Sequence, residues 1–106
     1  MDYSQLSDFE VNCMVAKECG FSSKCFAHDL HSGAWNPCEN ASDAWPIIAE
    51  HKISIIKDSG LYLWVATSDA YWVDGCEWQI SQEAMDANPL RAAMIAFLMM
   101  QDAKHA

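Results

Sequence analysis

Residues 88–101 read NPLRAAMIAFLMMQ, and this stretch limits the fold more than any other. Asn88 offers a side-chain oxygen to the free amides of a first helical turn, and Pro89 suits the first helical position, where its missing N–H costs nothing. The chain then runs apolar from Leu90 to Met100 with one charged break at Arg91, which predicts a helix from residue 89 to about residue 103. Leu90, Met94, Phe97 and Leu98 form one stripe, while Ile95, Met99 and the alanines cover much of the remaining circumference, so this helix must be covered on more than one side. Burying each large apolar side chain contributes roughly 1.5–3 kcal/mol, and leaving half of them wet would forfeit about as much as a small domain's whole stability. A sheet on one face and another helix on a second would serve, and so would a second copy of the chain. Ile95, Met99 and Met100 are therefore candidate residues of a homodimer or partner interface.

The other elements follow from local chemistry. In LSDFEVNCMVAKECG, Ser7 and Glu10 have capping-box spacing and Gly20 is placed to end a helix near Glu18, which predicts a helix over 8–18 with Val11, Met14 and Val15 toward the core. Phe9, Cys13 and Ala16 give it a second apolar side. FSSKCFAHDLHSGAWNPCENASDAWP is punctuated by Gly33, Asn36-Pro37 and Asn40 and predicts loops, with a short strand near residues 24–27. Ser42 can cap a short helix through DAWPIIAEHK. β-Branched and aromatic residues flank Asp58-Ser59-Gly60, predicting strands near 53–57 and 61–67, and a second hairpin around Asp74-Gly75 carries Tyr71, Trp72, Trp78 and Ile80. The sum is one α+β domain over residues 1–106: an N-terminal helix, a central antiparallel sheet of three or four strands, and the apolar C-terminal helix packed on it.

Charge narrows the function classes. Fifteen acids against six bases give a net charge of −9, a sign that repels phosphate backbones and anionic lipids and favours basic partners. The start, MDYSQLSDFE, has neither the basic nor the apolar region of a secretory signal, and the longest apolar run is shorter than the roughly 20 residues of a membrane span. A soluble cytoplasmic protein with reduced thiols is expected, its five cysteines being an odd count.

No motif commits the chain to chemistry. Cys25, His28, His31 and Cys38 are candidate zinc ligands by residue type, but their spacing matches none of the paired patterns that mark zinc sites, and no metal or other cofactor is expected. No nucleophile elbow or phosphate-cradling glycine loop is present, so no catalytic residue is assigned and a non-enzyme is expected. Of the five tryptophans, Trp64 and at least one of Trp72 and Trp78 are expected in the core. Trp35 and Trp45, in the irregular region, are candidate exposed anchors for a partner protein.

Three blocks, MDYSQLSDFEVN, NPCENASDAWPIIAEHKISI and NPLRAAMIAFLMM, together resemble the NinX-like proteins of lambdoid phages and prophages. The resemblance spans roughly residues 1–20, 36–56 and 88–101. It implies a phage or prophage accessory protein acting in the host cytoplasm, and it supplies no catalytic residues. Joined to the charge, it leads to an expected role as a protein-binding modulator of a host or phage factor, with a basic partner favoured. A metal-binding or catalytic protein using the Cys25–Cys38 segment is the alternative. A direct nucleic-acid binder is disfavoured, since the last helix carries Arg91 alone where a basic cluster is needed.

Overall fold

The computed structural model describes residues 2–21 and 24–105, with Lys24 and Cys25 described by their backbone only. After a 3-10 turn (Tyr3–Gln5) come α1 (Asp8–Glu18), α2 (Lys24–Ser32), α3 (Ala41–His51), β1 (Ser54–Asp58), β2 (Leu63–Val73), β3 (Glu77–Asp86) and α4 (Pro89–His105). The strands form one antiparallel sheet in the order β1-β2-β3. This is the expected α+β arrangement, with the C-terminal helix packed on the sheet.

Caps set the ends of α1 and α4. The Ser7 hydroxyl accepts the Glu10 N–H at 3.1 Å while the Glu10 carboxylate accepts the Ser7 N–H at 3.0 Å, completing the capping box. Gly20 sits at φ 80°, and the Phe21 N–H donates back to the Ala16 carbonyl at 2.9 Å. That closure requires a left-handed residue, which glycine adopts without strain. At α4 the Asn88 side-chain oxygen accepts from the N–H groups of Leu90 and Arg91 at 2.9 and 3.3 Å.

Two local expectations are corrected. Residues 24–27 are helical, not a strand, because Phe26 and Leu30 stand one helical turn apart and Phe26 stacks between Phe21 and Trp35 at 4.8 and 4.9 Å. The third helix begins at Ala41 rather than after Ser42, and its flanking Asn40 makes no side-chain cap. The Asp43 carboxylate instead accepts the Asn36 N–H at 2.9 Å, tying the helix to the preceding loop.

α4 is the centre of the core. Residues 92–98 are all buried, held against the sheet by Ile55, Ala66 and Ala84, against α1 by Val11 and Val15, and against α3 by Ala44, Ile47 and Ile48. Ala66 and Ala84 face each other in register, so two small side chains let the helix lie close to the sheet. α3 and the N-terminal turn pack on the sides of α4 that the sheet and α1 leave. Ile95 is buried, and Met99 and Met100 are half-buried against the same core.

Arg91, the charged break in that helix, joins four segments. Its guanidinium meets Asp8 at 2.8 Å and Asp86 at 3.3 Å and donates to the Leu6 carbonyl at 2.6 Å, with its side chain only 11% exposed. A planar fork with several donors suits this better than an ammonium. A second brace is neutral: the buried Asn12 amide donates to Asn36 at 2.7 Å and accepts the Cys38 N–H at 3.3 Å, while Asn88 donates to the Cys38 carbonyl at 2.8 Å. The Tyr3 hydroxyl donates to Asp102, closing the N-terminus onto the end of α4.

Candidate functional site

β2 is longer than the layer that covers it. Its eleven residues extend about 36 Å, against about 26 Å for the seventeen of α4, and its pairing with β1 stops at Ser54 opposite Thr67. From residue 69 onward β2 and β3 continue as a two-stranded ribbon. The ladder breaks where the ribbon leaves the sheet. Ser68 and Gln82 are unpaired and Gln82 sits at φ 52°, while the Thr67 hydroxyl accepts the Asp69 N–H at 3.0 Å and donates to the Ser81 carbonyl. At the far end Asp74 and Gly75 both have positive φ, and the Cys76 N–H closes the turn onto the Val73 carbonyl at 2.8 Å, the geometry a tight hairpin demands.

Register decides what each ribbon face carries. Ala70 pairs with Ile80 and Trp72 with Trp78, so these four share one face; Asp69 with Ser81, Tyr71 with Gln79 and Val73 with Glu77 make the other. The first face continues into a groove of about 480 Å³ lined by Ser54, Ile56, Ala70, Trp78 and Ile80. Because Ile55 packs into the core, its neighbours Ser54 and Ile56 lie on the opposite, open side of the sheet, and the groove is on that side. The Trp72 and Trp78 rings meet edge to face at 5.6 Å yet remain 51% and 60% exposed. The expectation that at least one of them is in the core is corrected: alternation places them on one face, but no described element covers it. Trp64 is half-buried.

The other sequence candidates scatter. Trp35 is half-buried within the Phe21–Phe26 aromatic cluster, and Trp45 is 63% exposed on the outer side of α3. His28 and His31 are exposed on α2, with His31 stacked on Phe9 at 5.0 Å, whereas Cys38 is fully buried in the core. The Cys25 side chain lies outside the described residues, and among the described ones no cluster of three or more metal-ligating side chains forms. Three of the described thiols are held away from ionisation. Burial pushes Cys38 up to about 12, with Asp8, Glu39 and Asp86 adding to it against Arg91, and burial with neighbouring glutamates also raises Cys13 and Cys19. A thiolate nucleophile needs the opposite shift.

The class this defines is an α+β domain whose most apolar helix is enclosed within the chain and whose aromatic hairpin is not. The family model described as Bacteriophage P22, NinX matches residues 2–101, and the chain belongs to that family. Membership makes it a phage accessory protein. No curated protein and no solved structure matches it. Among the described residues no helix is long and apolar enough to cross a membrane.

Proposed function

We propose that this phage protein works without catalysis, by binding a host or phage protein in the host cytoplasm through the aromatic face of its β2–β3 ribbon. The observation that carries the reading is the pair Trp72 and Trp78, patterned for burial and left uncovered. Clustered exposed apolar side chains on a small domain mark a binding surface, and tryptophan is enriched among residues that dominate protein interfaces. The −9 charge weighs against direct nucleic-acid binding, and Arg91, the one base of α4 before its last turn, is engaged by Asp8 and Asp86. Trp45 is a second exposed tryptophan, but it stands alone on its helix while Ile47 and Ile48 turn inward.

Affinity capture from phage-host lysate tests this. A protein retained by the wild type and by Trp45→Ala, and lost with the Trp72→Ala, Trp78→Ala double variant, is the expected result. A protein retained equally by the double variant would contradict the assignment.

A further inference from the structure

We propose that the segment docking on this face is basic and extended, and that it adds as a strand to the free edge of β2 at residues 69–73; the proposal rests on the protein-binding reading above. Charge selects the kind of partner. Residues 58–90 contain six acids, Asp58, Asp69, Asp74, Glu77, Glu83 and Asp86, and no Lys, Arg or His. Arg91 engages Asp86 at 3.3 Å, and among the described residues no base forms an ion pair with the other five. Asp69, Asp74 and Glu77 lie on the ribbon itself, so two copies meeting through their ribbons would set these three against each other, whereas a basic segment is attracted before contact and neutralises them on arrival.

Backbone geometry selects the conformation. β1 leaves β2 at Thr67, so the β2 edge beyond it has no neighbouring strand among the described residues. Such an edge offers a row of free N–H and C=O groups to an incoming strand. An added strand inherits the two faces of the ribbon, one bearing Ala70, Trp72, Trp78 and Ile80 and the other Asp69 and Glu77. The Ser81 hydroxyl donates to Asp69, which holds that carboxylate on the polar face. The matching segment alternates: branched apolar side chains on the tryptophan side, next to the Ile56 groove, and Lys or Arg on the Asp69 side.

The experiment titrates the isotope-labelled full chain with three short synthetic peptides, alternating Lys-Val, Lys-Ser and Glu-Val, and follows amide and indole resonances. The Lys-Val peptide is expected to bind, to slow amide exchange within residues 69–73 and to shift the Trp72 and Trp78 indoles. Lys-Ser should bind more weakly and Glu-Val not at all. Trp78→Ala should weaken Lys-Val binding about 30-fold, as loss of an interface anchor does, and Trp72→Ala gives an independent check. Equal binding of Glu-Val, perturbations confined to the helices, or self-association through the ribbon would overturn the proposal. If no peptide binds while the capture experiment yields a ribbon-dependent protein, the basic extended class is refuted and the protein-binding reading stands.

Discussion

Replacing Arg91 by methionine keeps the length and apolar stem of the side chain while removing its charge and donors. The wild-type guanidinium lies 2.8 Å from Asp8, 3.3 Å from Asp86 and 2.6 Å from the Leu6 carbonyl. Breaking a buried ion pair from one side costs about 3–5 kcal/mol because the other charge is stranded. Asp8 and Asp86 keep 39% and 25% of their side-chain exposure, so water rehydrates them in part and the lower end, about 3 kcal/mol, applies. A domain of this length is stable by about 5–15 kcal/mol, so the loss is a large share and lowers Tm by about 12 °C or more. Urea titration followed by circular dichroism reads it directly: the midpoint should fall with the slope unchanged. Arg91→Lys should lose an intermediate amount, since one ammonium cannot replace the fork that reaches both carboxylates and the N-terminal carbonyls. A loss below about 1 kcal/mol for Arg91→Met, the value of a surface pair, would refute the view that this residue ties the N-terminus, α1 and the end of β3 to α4.

Three further outcomes follow from burial and hydrogen bonding. Ile95→Asp places a carboxylate in a site that is 5% exposed, so sedimentation and circular dichroism should show an unfolded chain rather than a folded monomer released from a dimer. Alkylation of the native protein should modify the exposed Cys76 promptly and Cys38, fully buried with its thiol pushed up to about 12, only on unfolding; mass spectrometry of the native protein finding Cys38 labelled as fast as Cys76 would contradict that core. The Tyr3 hydroxyl, raised from 10.0 to about 12 by burial and by Asp102, stabilises the fold in its neutral form. Its contribution is complete below about pH 10 and lost as pH rises toward about 12. The difference in urea midpoint between wild type and Tyr3→Phe should therefore be constant up to about pH 10 and narrow above it; a difference that stays constant would remove the hydroxyl from the latch.

What the sequence disclosed divides along the range of the interactions involved. The ends of α1 and the start of α4 were legible because Ser7, Glu10, Gly20 and Asn88 act on backbone groups within a few residues of themselves. Both hairpin turns were legible for the same reason: the Asp58 carboxylate accepts the Gly60 N–H at 2.9 Å, and Asp74-Gly75 supplies two left-handed residues. α2 was not: Phe26 is held by Phe21 and Trp35, which lie outside the helix on either side of it and carry no local helix signal. The ribbon was legible in half. Trp72 and Trp78 were legible as strand residues on either side of Asp74-Gly75, but the side of the sheet they face was not: Ala70, Trp78 and Ile80 line the groove with Ser54 and Ile56, away from α4. β2 was expected to stop at residue 67, and instead it continues to Val73 through the ladder break at Ser68 and Gln82. The blocks that carry the resemblance largely describe the frame: Asn36, Cys38 and Asn88 brace it and Ala44, Ile47 and Ile48 fill it.

Site-specific photo-crosslinking in the phage host locates the partner on the molecule. A photoreactive residue is placed in turn at position 80, on the apolar face of the β2–β3 ribbon beside the two tryptophans, at position 79, on the opposite face, and at position 45, on α3. A discrete protein adduct is expected from position 80 that disappears when Trp72→Ala is added, with little or none from positions 79 and 45. Adducts from position 45 with none from position 80 would contradict binding through the ribbon and move the binding surface to α3.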